Sequence, residues 1–129
     1  MGLRWILRLR LAAYAALLAL SACASAGQQP ERTFKPNEVQ VIEPPGQQDK
    51  WTYAPNELKV PRGTTVTFVN HGKEFHTVTS DQAGRPFDLG LDMNKTGTIT
   101  FDEVGTFTYH CGVHPTMKGT VRVCDGACG

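Results

Sequence analysis

Cys111, His114 and Met117 follow one another at three-residue intervals in the segment CGVHPTM, so a thiolate, an imidazole and a thioether sit on one short stretch of chain. His76, far upstream, can supply a second imidazole. Soft thiolate and thioether sulfur favour Cu(I), and imidazole accepts both oxidation states. A His2Cys plane with a weak axial Met is the ligand set of electron-transfer copper. The plainer role for Cys111 and Met117 is interior packing, where both residue types are usually found.

Such ligands need a rigid frame. Val39 to Ile42, Glu57 to Val60, Thr64 to Asn70, His76 to Thr79, Thr96 to Phe101, Gly105 to Cys111 and Lys118 to Val123 are rich in Val, Thr, Ile, Phe and Tyr, and Gly, Pro, Asn and Asp separate them. No stretch keeps a 3.6-residue period. The expectation is an all-β, two-sheet Greek-key sandwich of seven to eight strands. Alternation puts Val66 and Phe68 on one face of their strand. In the same way Phe107, Tyr109 and Cys111 share a face, with Thr108 and His110 on the other. Cys111 then points inward at a strand end, where a buried ion could meet it.

The chain divides into three parts. Residues 1–23 read as a secretory signal: Arg4, Arg8 and Arg10 precede an apolar run from Leu11 to Leu20, which is too short to span a bilayer comfortably. Leu20, Ser21, Ala22 and Cys23 also resemble a bacterial lipobox, making Cys23 a lipidation site, and cleavage before Gly27 is the competing reading. Residues 24–37, dominated by Ala, Ser, Gly, Gln and Pro, read as a flexible tether. Residues 38–129 form the copper-binding domain. The expected protein is exported, periplasmic or at the cell surface, and anchored to a membrane through Cys23. With Cys23 lipidated and Cys111 on a metal, Cys124 and Cys128 are left as a possible disulfide in an oxidising compartment. Without the leader, ten basic residues face twelve acidic ones, a net charge of about −2 with His neutral. No basic run points to nucleic acid.

The run FTYHCGVHPTMKGTVRV, with TVTFVNHGKEFHTVTS upstream, resembles the cupredoxin (blue copper protein) family. The Cys-x2-His-x2-Met loop is most similar to its plastocyanin, amicyanin and pseudoazurin branches. The likeness covers most of residues 38 to 123. It implies one copper ion, cycling between Cu2+ and Cu+, held by His76, Cys111, His114 and Met117. It also implies that His114 is the route by which electrons leave, with Val113 and Pro115 in an apolar patch suited to small, brief interfaces. The implied protein is a monomer that carries single electrons between larger redox proteins. Two positions depart from the commonest family pattern. Thr77 stands where several relatives have an Asn that ties the two ligand loops together, and Gly112-Val113 replaces a more usual Pro-containing stretch.

Enzymatic copper proteins of this kind need further His ligands. Besides the proposed site the chain offers only His71 and His110, too few for an additional catalytic cluster, and Gly112 breaks the His-Cys-His arrangement. Two other readings use some of the same residues. One is a copper carrier or storage protein that delivers metal rather than electrons. The other is a zinc site of Cys111, His114, Cys124 and Cys128, which leaves His76 and Met117 unexplained.

Overall fold

The computed structural model describes residues 33–129. The leader, the lipobox Cys23 and most of the tether lie outside the described residues.

Nine strands run through the described residues: β1 (Glu38–Ile42), β2 (Thr52–Ala54), β3 (Glu57–Pro61), β4 (Thr64–Asn70), β5 (His76–Ser80), β6 (Asp88–Leu91), β7 (Thr96–Phe101), β8 (Gly105–His110) and β9 (Lys118–Cys124). They form a four-stranded sheet in the order β2-β1-β4-β7 and a five-stranded sheet in the order β3-β9-β8-β5-β6. β1 lies parallel to β4 and β3 parallel to β9, and the remaining pairs are antiparallel. A 3-10 turn, Gln48–Lys50, sits in the connection from β1 to β2.

The strand count exceeds the expectation because β2 and β6 carry too little local signal. β2 has only three residues, and β6 contains Asp88 and Gly90, both poor strand formers. Pairing makes them strands: β2 zips onto β1 from Gln40↔Ala54 to Ile42↔Thr52, and β6 onto β5 from His76↔Leu91 to Thr79↔Asp88.

Two apolar faces close on each other between the sheets. Val66 and Phe68 of β4, Val78 of β5, Tyr109 of β8 and Val121 of β9 are fully buried. Burying each such side chain contributes about 1.5–3 kcal/mol. Phe68 and Tyr53 both meet the Tyr109 ring edge to face, at centroid distances of 5.6 and 5.0 Å, the preferred geometry for aromatic pairs. Tyr109 also lies directly opposite Gly119 of β9. A Cβ at Gly119 would fall 2.3 Å from the Tyr109 ring, so this strand position admits the aromatic only because it has no side chain.

One of the buried polar residues prepares the site. Asn70, at the end of β4, is fully buried. Its Nδ2 donates to the carbonyls of Glu74 (2.8 Å) and Leu91 (3.0 Å), and its Oδ1 accepts from the Gly72 N–H at 2.8 Å. These bonds satisfy the buried amide and fix the loop that leads into His76.

Candidate metal centre

His76 is the first residue of β5, and Cys111 follows the last residue of β8. The expected strand through Cys111 ends one residue earlier, at His110, and the Cys111 N–H carries the β8–β9 pairing one step further by donating to the Met117 carbonyl at 3.1 Å. Met117 N–H in turn donates to the His114 carbonyl at 2.9 Å, so the ligand loop is closed on itself where β8 gives way to β9. A loop fixed at both ends presents its side chains to one point.

The ligand atoms converge there. His76 Nδ1 and His114 Nδ1 are 3.2 Å apart, and each lies 3.7 Å from the Cys111 sulfur. Among the described residues these three are the one group of His, Cys and acidic side chains gathered closely enough to hold a metal ion. His76, Cys111 and Met117 are fully buried, and His114 is half-buried. Met117 belongs to the same buried cluster as Cys111.

The electrostatics favour an anionic sulfur. Burial by itself raises the Cys111 thiol, but hydrogen bonding with the His76 ring and from the Thr77 amide outweighs it and brings the pKa down to about 6. The Thr77 N–H lies 3.3 Å from the sulfur. Burial also disfavours a charged His76, yet the neighbouring Cys111 and Glu43 move its pKa above the ordinary histidine value. A thiolate with two imidazole nitrogens, shut away from water and joined by a thioether on the same loop, fits copper by the chemistry of the donors.

The positions outside this cluster also find places. The Thr77 hydroxyl accepts from the Gly112 N–H at 2.8 Å, so the bridge between ligand loops exists with Thr instead of Asn. His71 is exposed. His110 faces away from the site, 2.5 Å from the Asp81 carboxylate. Cys124 and Cys128 are joined to each other, which removes them from any shared site with Cys111 and His114. Among the described residues Cys111 is the free cysteine.

Sequence reasoning missed the β1–β2 connection. Glu43, just past β1, places its carboxylate 2.7 Å from His76 Nε2. Trp51, at the far end of that connection, stands edge-on to both imidazoles, at centroid distances of 4.9 Å to His114 and 5.7 Å to His76. Its indole N–H donates to the Pro44 carbonyl at 3.3 Å, which closes the connection over the site. A lone Glu before two prolines carries no motif. The one available hint was a large aromatic in an otherwise polar linking segment.

A buried His-Cys-His cluster at one end of a two-sheet sandwich defines a type 1 copper protein scaffold. The family model of the cupredoxin-like domain matches residues 10–123, and the chain belongs to that family. Amicyanin from Paracoccus denitrificans is 38% identical over 65 residues, which are 47% of this chain and about half the length of that protein. A purple cupredoxin from Nitrosopumilus maritimus superposes with a TM-score of 0.59 at 29% identity, over 67% of this chain and 98% of that one. A Cu(I) form of an amicyanin variant gives a TM-score of 0.58 at 30% identity, over 73% and 87%. The family binds one copper ion, and the three converging donors are compatible with a type 1 site.

Proposed function

We propose that this protein is an exported type 1 copper protein, lipid-anchored through Cys23, that carries single electrons between larger redox proteins and catalyses no reaction of its own. The observation that carries this reading is the convergence of His76 Nδ1, His114 Nδ1 and the Cys111 sulfur within 3.2–3.7 Å in a buried pocket of the fold. His76, Cys111, His114 and Met117 would hold the copper.

Bound copper supplies a one-electron couple. The chain's own residues do the rest. Burial of His76, Cys111 and Met117 excludes water, and the bonds that close the 111–117 loop keep the donors fixed whichever charge they face. A frame that does not rearrange lowers the cost of electron transfer. His114 is the half-buried member of the set, beside Val113, which is 52% exposed, and the exposed Pro115. A partner docking on this apolar edge would approach the site through the His114 ring.

The test is the visible and electron paramagnetic resonance spectra of the domain begun after Cys23, titrated with Cu(II) and cycled with reductant and oxidant. The reading expects an intense thiolate charge-transfer band at one equivalent that bleaches and returns with the metal retained. A complex that sheds copper on reduction would turn the reading to copper delivery. Fractionation of cells expressing the full chain, with mass spectrometry of the mature N-terminus, tests the anchor: acylated Cys23 in the membrane fraction is expected, and an N-terminus at Gly27 would overturn it.

A further inference from the structure

Glu43 is held more tightly than a surface carboxylate needs to be. Its side chain is only 10% exposed. One carboxylate oxygen accepts from the Lys73 N–H at 2.8 Å, and the other accepts from the Glu74 N–H at 3.3 Å and meets His76 Nε2 at 2.7 Å. The amide bonds come from the loop that Asn70 fixes, so the carboxylate is seated by the chain on either side of it. Gly72 completes the seat, because a Cβ there would lie 1.9 Å from Glu43 Oε1. Burial raises the Glu43 pKa, but the amides and the imidazole outweigh it, so the group remains a carboxylate.

We propose that Glu43 is a positioning residue for the copper centre: by accepting a hydrogen bond from His76 Nε2–H it fixes the ring so that Nδ1 faces Cys111 and His114, and it strengthens that nitrogen as a donor. The inference rests on the copper reading above. A metal-bound imidazole whose second nitrogen donates to a carboxylate is locked in tautomer and orientation and becomes more basic. A more basic donor favours Cu(II) over Cu(I), so Glu43 holds the reduction potential down.

Three variants separate position from charge. Glu43→Ala removes the carboxylate, and Glu43→Gln keeps an acceptor without charge. Gly72→Ala keeps the charge but pushes the carboxylate off His76, since the flexible end of Glu43 yields more easily than the backbone. For Glu43→Ala and Gly72→Ala alike, Cu(II) affinity is expected to fall about 10–100-fold, with Glu43→Gln between them and wild type. Each tenfold loss not shared by Cu(I) raises the potential by about 59 mV. In the Zn(II)-loaded wild-type protein, the His76 Nε2–H proton should appear in 15N-edited spectra as a downfield, slowly exchanging resonance. It should broaden into solvent exchange in Glu43→Ala and Gly72→Ala.

Gly72→Ala with wild-type potential and an intact Nε2–H resonance would overturn the proposal, as would a proton found on Nδ1 in the zinc form. The zinc spectrum does not depend on electron transfer, so it reads Glu43 even if the carrier function fails. A blue, reversible wild-type protein with three unaffected variants would sink the Glu43 role alone.

Discussion

The hydroxyl of Thr77 accepts a hydrogen bond from the backbone N–H of Gly112 at 2.8 Å, joining the strand that begins at His76 to the loop that begins at Cys111. The same hydroxyl lies 2.7 Å from that of Thr79, which donates to Asp88 at 2.8 Å. Because the carboxylate can only accept, the protons are ordered: Gly112 gives to Thr77, Thr77 to Thr79, and Thr79 to Asp88. Bonds ordered in this way polarise one another.

Thr77→Val keeps the shape and removes the link. The metal-free protein should lose about 1 kcal/mol in a urea titration, and the copper form should shift in potential as the loop around Cys111 loosens. Thr77→Ser should restore both. A valine variant indistinguishable from wild type in stability and potential would show that the chain of hydroxyls has no part in holding the site.

Cys111→Ser should abolish the thiolate-to-copper charge-transfer band, because an oxygen ligand lacks the high-energy sulfur donor orbital. Met117→Leu should retain copper and change its potential, as the proposed role of Met117 as a weak fourth donor expects. The visible spectrum and voltammetry of the two variants provide the check. Intense colour in the serine variant would sink the assignment of Cys111. His110→Ala, on the other side of the strand and paired with Asp81, should leave colour and potential unchanged.

The three donors that converge were legible because Cys111 and His114 lie on one short loop and His76 begins a segment rich in Val and Thr. Thr77 could be read in the same way, as the neighbour of His76. Glu43 could not, for it reaches His76 only because β1 runs beside β4 and delivers the following loop over the site. Asn70 stands at the end of an expected strand, but its full burial follows from acceptors at Glu74 and Leu91 that only the folded chain assembles. β2 and β6 were hidden for a similar reason, as their partners rather than their compositions define them.

Tyr109 and Gly119 form a pair that mutation should split. The Tyr109 hydroxyl is the buried side-chain polar atom without a hydrogen-bond partner among the described residues. Tyr109→Phe removes an unmet polar group and keeps the ring, so stability should stay level or rise by about 1 kcal/mol. Gly119→Ala drives a Cβ into the ring at 2.3 Å and should cost about 1–3 kcal/mol as overpacking. Thermal or urea unfolding of both variants gives the comparison. An alanine at 119 tolerated without loss would mean that the Tyr109 ring can shift away from β9.

Alkaline pH should unfold this domain through two tyrosines. Burial raises the hydroxyl pKa of Tyr53, with the charge on Cys111 adding to it, and burial raises that of Tyr109. The unfolded chain gives up these protons near pH 10, whereas the folded chain keeps them. The stability they contribute is therefore complete below about pH 10 and is lost as pH climbs toward the raised folded values. The limiting slope is roughly 1.4 kcal/mol per pH unit for each tyrosine. Urea titrations of the metal-free protein from pH 9 to 11.5 should show this decline, and Tyr109→Phe should make it shallower. Tyr53→Phe should do the same but start from a lower stability, because it also loses the bond from the Tyr53 hydroxyl to the Thr77 carbonyl. A slope in this range that neither substitution changes would assign the alkaline loss to other groups.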